Sequence, residues 1–260
     1  MIRAKTALLV SLGLSGLVAL SLMVAGCGGS GAPPGTVVQD GAATGLSDAP
    51  AVTVGGYTFG TNSNRLNHPF FKATPTTANW VYSGRGTCQG QVRTCLFSDG
   101  GLVAGVKTVG FRMWDVGPEQ PPGGDRVDVW MAQDTQGNIH GLKYQGTRAN
   151  GHRQPTQLTG VAAGGPPAFW LPRAGQLTLN HTWTWTMSGK VVHQWKITNL
   201  NGRIGGKSGL LVVRGISDQN GDGTFNPSWT GPDDRDDNWF QPAVGPWYWQ
   251  WNSNGGLLRQ

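Results

Sequence analysis

The densest run of metal-ligating residue types in the chain is Asp218-Gln219-Asn220-Gly221-Asp222-Gly223-Thr224. It fits D-x-[DN]-x-[DN]-G, the first half of a calcium loop. Positions one, three and five aim oxygens at one centre, glycine allows the sharp turn at the sixth, and the seventh offers its carbonyl. The twelfth position holds Trp229 where an EF-hand needs glutamate, and no flanking helices are apparent. Asp233, Asp234, Asp236 and Asp237 follow, so six of the fourteen acidic residues crowd into 218–237 with Arg235 as the sole opposing charge. Bound Ca²⁺ would relieve that repulsion. Asp218, Asn220, Asp222, Thr224, Asp233, Asp234, Asp236 and Asp237 are therefore the candidate ligands, although the same residue types also build ordinary solvated turns.

Twelve tryptophans are the second anomaly. Trp247, Trp249 and Trp251 alternate, and on a strand their rings share one face at a spacing of about 7 Å. Exposed, they would form a platform for sugar rings; buried, they would fill a β core. Trp183 and Trp185 opposite Trp195 fit the core reading. The five histidines, His68, His140, His152, His181 and His193, show no metal-binding spacing. Gly205-Gly206-Lys207-Ser208 lacks the earlier glycine of a phosphate loop, because Asn201 stands there, and reads as a hairpin turn. Glu119 is the only glutamate, so paired-carboxylate hydrolysis would have to draw on Asp115, Asp125, Asp128 or Asp134. No residue is singled out as catalytic.

Cys27 closes the run Leu22-Met23-Val24-Ala25-Gly26-Cys27, behind Arg3, Lys5 and an apolar stretch over residues 7–24. That is the layout of a secretory signal. Small residues leading into cysteine resemble the lipobox of bacterial lipoproteins, which implies cleavage after Gly26 and acylation of Cys27. Gly28 after the cysteine favours the outer membrane where the envelope has one. The expected organisation is a signal peptide over 1–26, a lipidated cysteine with a Gly/Ala/Pro leash over 27–50, and one β-rich domain over 51–260. Cys88 and Cys95 remain. An exported protein meets an oxidising compartment, so a disulfide across a hairpin is expected between them.

The elements that must carry these groups read as strands. Val127-Asp128-Val129-Trp130-Met131-Ala132 and the stretch 139–145 flank a turn at Gln136-Gly137-Asn138. Thr182-Trp183-Thr184-Trp185-Thr186 alternates with period two and returns through 191–197. Ile204 and Leu210-Leu211-Val212-Val213 bracket another turn, while 103–114 and 238–251 each read as one extended stretch. The expected fold is all-β, an antiparallel meander forming a curved sheet, an open barrel or a sandwich.

His68-Pro69-Phe70-Phe71, Asn79-Trp80-Val81-Tyr82, Leu171-Pro172-Arg173-Ala174-Gly175 with Thr182-Trp183, and the run Trp239-Phe240-Gln241-Pro242-Ala243-Val244-Gly245-Pro246 together resemble a loose family of bacterial cell-envelope lipoproteins with a compact antiparallel β domain. The likeness spans about 68–252 and implies fold and location, with no catalytic residues to carry over. Charged residues are only 13% of the chain against 42 glycines, and no basic cluster points to nucleic acid. The expected role is a membrane-anchored binding or structural module with a calcium-stabilised loop, meeting the membrane through Cys27 and other envelope proteins or glycans through its domain. The alternatives are a carbohydrate-binding module on the tryptophan platform, and a metal-dependent or hydrolytic enzyme.

Overall fold

A computed structural model describes residues 51–117, 125–147, 161, 167–187, 190–218 and 221–260. The signal, the lipobox and the leash lie outside these residues. Within them there is no α-helix, and no helix long and apolar enough to cross a membrane. The chain is all-β and antiparallel, as the alternating patterns require.

Two short hairpins come first: β1 (Val52–Val54) with β2 (Tyr57–Phe59), and β3 (Leu66–His68) with β4 (Phe71–Ala73). A meander follows through β5 (Trp80–Gly86), β6 (Val92–Val103), β7 (Val106–Val116), β8 (Asp125–Gln133), β9 (Ile139–Thr147) and β10 (Ala168–Leu171). A second runs through β11 (Thr182–Met187), β12 (Lys190–Ile204), β13 (Lys207–Ser217), β14 (Asp234–Gln241), β15 (Gly245–Asn252) and β16 (Gly255–Arg259). The two join where β16 pairs with β5, which gives one twelve-stranded sheet with β10 and β11 as its edges. The sheet curls until these edges approach: the rings of Trp170 and Trp185 lie 6.3 Å apart. No ladder links β10 to β11, so the sheet is not closed into a barrel.

Two stretches that read as single strands are hairpins. Residues 103–114 turn at Ala104 and Gly105, and 238–251 turn before Gly245. Ala104 and Ala243 take up positive φ, at 50° and 60°. Alanine advertises no turn, since it seldom adopts that conformation.

Two apolar clusters form among the described residues, and the larger fills the inside of the curled sheet. It draws Trp80, Cys95, Phe97, Phe111, Met113, Val129, Met131, Trp185, Trp195, Ile197, Val213, Phe240, Trp249 and Leu257 from around the sheet. The hairpin β3–β4 seals one end. Its Phe71 is fully buried against Trp80, Phe111 and Trp170, a burial that stabilises by about 2–3 kcal/mol. His68 ties the same hairpin to the β10–β11 connection: its Nε2 donates to the Pro172 carbonyl at 2.8 Å, while Nδ1 accepts from the Phe70 amide. The aromatic and proline residues that opened the family resemblance thus close an end of the fold.

The expected disulfide is absent. Cys88 and Cys95 are buried free thiols. The register explains it, because Trp80, not Cys88, lies opposite Cys95, while Cys88 sits in the turn joining β5 and β6. Cys95 is enclosed within the core, and burial pushes its thiol up to about 12.

Candidate functional site

Among the described residues, the acidic side chains of the run 218–237 are not gathered on one centre. Asp218 folds back on its own turn, accepting from the Gly221 amide at 2.7 Å and the Gly223 amide at 2.9 Å. Asp222 accepts from the Thr224 amide and hydroxyl, and Asp233 from the Asn226 amide. Asp237 is held between Arg214 and Arg235. Asn220 lies outside the described residues. Among the described residues, no group of three or more His, Cys, Asp or Glu side chains is placed to hold a metal ion. Strand alternation causes the split: successive side chains on β14 leave opposite faces, so Asp234 and Asp236 part from Arg235 and Asp237.

The tryptophan platform is not open either. Trp249 is buried, and Trp247 and Trp251 are half-buried. The Arg93 guanidinium sits 4.3 Å from the Trp249 ring centre and 4.8 Å from that of Trp251, so a cation already occupies those faces. Trp247 carries Lys207 at 5.1 Å. Arg93 is itself 1% exposed and makes a two-pronged ion pair with Asp115, at 2.6 Å for each bond. Trp183 and Trp195 are register partners with rings stacked at 17°, as the core reading of that pair requires.

Two other constellations are assembled. The first is a cleft of about 340 Å³ beside the free edge of β11, lined by Tyr57, Gln136, Asn138, Pro167, Gln176, His181 and residues 182–185. One wall is the turn between β8 and β9, and Asp134 organises it. Asp134 accepts from the Gln136 and Asn138 amides, from Asn138 Nδ2 at 2.7 Å and from His140 Nε2 at 2.9 Å. Burial works to raise its pKa, yet the hydrogen bonds from His140 and Asn138 outweigh that and hold the carboxyl below its ordinary value. Asn138 Oδ1 accepts from the Arg173 amide, which fixes this turn to the β10–β11 connection. The His140 ring lies 4.4 Å from that of Tyr57. The cleft's shape thus rests on a preorganised polar network rather than on a loose loop. Its lining includes no Asp, Glu, Lys or Arg side chain.

The second constellation is buried behind that cleft. Register sets Trp185, His193, Ser217 and Asp234 in one row, and Trp183, Trp195, Gly215 and Asp236 in the next. His193 Nδ1 hydrogen-bonds Ser217 Oγ at 2.8 Å. Its Nε2 is buried with no hydrogen-bond partner among the described residues. Burial lowers the His193 pKa to about 3 and raises those of Asp234 and Asp236 to about 6 and about 7. Asn238 donates to Asp236. Ser217 and His193 are each 3% exposed, which leaves a macromolecular substrate no approach to them. Trp185 belongs to both constellations, lining the cleft and lying 5.4 Å from the His193 ring.

The sequence signals for these places were slight. Gln136, Gly137 and Asn138 read as a turn, but nothing marked Asp134 and His140 as partners. Gln176 and Tyr57 carried no motif, and His181 was one of five scattered histidines. Comparison with known proteins adds nothing: no family model, no curated protein and no solved structure matches the chain.

Proposed function

We propose that the chain is an exported envelope lipoprotein, acylated at Cys27 and held by the leash over 27–50, whose β domain binds a neutral saccharide in the cleft beside β11. The observation that carries the ligand class is the chemistry of the lining. Thr182, Thr184, Gln136 and Gln176 bring hydroxyls and amides, Tyr57, His181, Trp183 and Trp185 bring rings, and no Asp, Glu, Lys or Arg side chain lines it. Ligands rich in hydroxyls and bearing apolar C–H faces match such walls. The saccharide reading of the sequence is kept, and its site moves from Trp247, Trp249 and Trp251 to the cleft. The lipobox-like run ending at Cys27 supports attachment to a membrane, and the Gly/Ala/Pro-rich leash supports a tethered domain.

Tryptophan fluorescence titrated with a panel of neutral oligosaccharides tests the reading, because Trp183 and Trp185 report on the cleft. Binding in the millimolar range or tighter is expected, weakened about tenfold by Gln176→Ala or Thr184→Val, each of which removes a hydrogen bond to ligand. Saturable binding that neither variant weakens, or no response to any member of the panel, overturns it.

A further inference from the structure

We infer that one end of the sheet is a docking face for an anionic membrane surface. In an antiparallel meander alternate connections share an end, so the β6–β7, β8–β9, β12–β13 and β14–β15 turns lie together with the β10–β11 connection. The β3–β4 hairpin belongs to the same end, since the Ala243 amide donates to the Pro69 carbonyl at 2.6 Å.

Three leucines stand out of this end into solvent: Leu102 beside the β6–β7 turn at 63% exposure, Leu179 in the β10–β11 connection at 54%, and Leu200 on the long β12–β13 arm at 46%. Around them lie Arg65, Lys72, Arg173, Arg203 and Lys207, all exposed, and the half-buried Lys107. Among the described residues none of these six cations pairs with a carboxylate. At the opposite end Arg93, Arg112, Arg126, Arg214 and Arg235 all do. The acidic groups are distributed the other way. Asp115, Asp218, Asp222 and Asp233 lie at or near the far turns, Asp134 in the β8–β9 turn is buried, and one exposed carboxylate, Asp99, lies further up β6. Cations without a carboxylate partner, interleaved with protruding leucines, suit a surface of anionic headgroups over hydrocarbon: the cations draw the domain in, and the leucines enter the interface. A soluble protein partner of acidic character would use the cations but gives no reason for exposed leucines on three separate parts of this end.

The biological setting rests on the acylation of Cys27 proposed above, while the surface itself does not. The test therefore uses the lipid-free chain 27–260 carrying Cys27→Ser, which retains every described element. Sedimentation is measured with phosphatidylcholine vesicles, and with vesicles containing about a third phosphatidylglycerol. Binding to the anionic vesicles alone, falling as salt rises, is expected. Leu102→Ser with Leu179→Ser and Leu200→Ser, and separately Arg203→Ser with Lys207→Ser, should each lower the partition coefficient about tenfold. Arg85→Ser, an exposed arginine at the other end, should leave it unchanged. Arg65→Ser with Lys72→Ser supplies a second charge variant should either of the first two melt early. No binding to anionic vesicles, or equal binding by all variants, overturns the proposal. Incorporation of labelled fatty acid into the wild-type chain but not into Cys27→Ser tests the anchor independently.

Discussion

His193 Nε2 and Asp236 Oδ1 face one another across Gly215: a β-carbon on that glycine would lie 2.8 Å from the first atom and 2.5 Å from the second. The glycine is therefore a gap that lets two buried titratable groups on different strands share one space, with the Trp195 ring as its third wall. Gly215→Ala should force these groups apart and destabilise the fold by about 1–3 kcal/mol, the usual cost of overpacking. Urea unfolding monitored by tryptophan fluorescence measures it. An unchanged midpoint would show that the neighbours yield freely.

The carboxyl of Asp236 gives the fold a pH dependence of definite sign. Burial raises it from 3.8 to about 7. Its contribution is fully present below the ordinary value, where folded and unfolded chains both hold the proton. It is lost as pH rises through the folded value, because the unfolded chain releases the proton first. Asp234, raised to about 6, tilts stability the same way. His193, depressed from 6.5 to about 3, opposes both: its contribution is present above the ordinary value and is lost as pH falls toward 3. Asp236→Asn should thus gain on the wild type as pH rises from about 4 to about 8, by on the order of 2–4 kcal/mol. Paired unfolding curves across that range check it, and a constant difference refutes it.

Breaking the Arg93–Asp115 pair should be costly, because Arg93 is enclosed by Trp249 and Trp251 and reaches almost no water. Asp115→Asn leaves a buried guanidinium without its counter-charge, an outcome that costs about 3–5 kcal/mol. Arg93→Met together with Asp115→Asn should recover part of the loss, since it removes the stranded charge. A double-mutant cycle in denaturant reads the coupling, and additive losses would show that the pair acts as two independent groups.

Calcium should leave thermal stability unchanged. The carboxylates of Asp218, Asp222 and Asp233 are engaged by backbone amides of their own loops, and that of Asp237 by two arginines. A cation held by the whole run would have to draw carboxylates from both faces of β14. Melting with Ca²⁺ and with a chelator decides the matter: a midpoint raised by Ca²⁺ would restore an ion site in this loop.

The fold was legible because its signal is periodic. Thr182, Trp183, Thr184 and Trp185 alternate, and the structure alternates them. The hairpins at Ala104 and Ala243 were not legible, because alanine there has a conformation that its side chain does not announce. Pairing across the sheet was hidden as well. Cys88 and Cys95 look like hairpin partners by spacing, but spacing does not reveal that Trp80 takes the position opposite Cys95. The same holds for the site. A run of aspartates is conspicuous in a sequence, yet strand geometry sends neighbours to opposite faces and disperses it. The cleft instead collects Tyr57, Gln136 and the stretch holding Gln176, His181 and Thr184 from three distant parts of the chain, which no local motif can record.

The pairing of β16 with β5 bears on how the molecule reaches its native state. Each run of six strands is a chain of sequence-adjacent pairs, most of whose contacts close short loops and can form early. The join between the runs is different in kind: Gln260 Nε2 donates to Ser83 Oγ across 177 residues of sequence. Closure over such a distance carries a large entropic cost before any contact rewards it, and folding slows as contacts of that kind accumulate. Until β16 docks, β5 presents an unpaired edge able to accept a foreign strand. The slow step and the period of greatest exposure to aggregation therefore coincide at one ladder, which makes the order of events, rather than the final stability, the point at which the fold is most vulnerable.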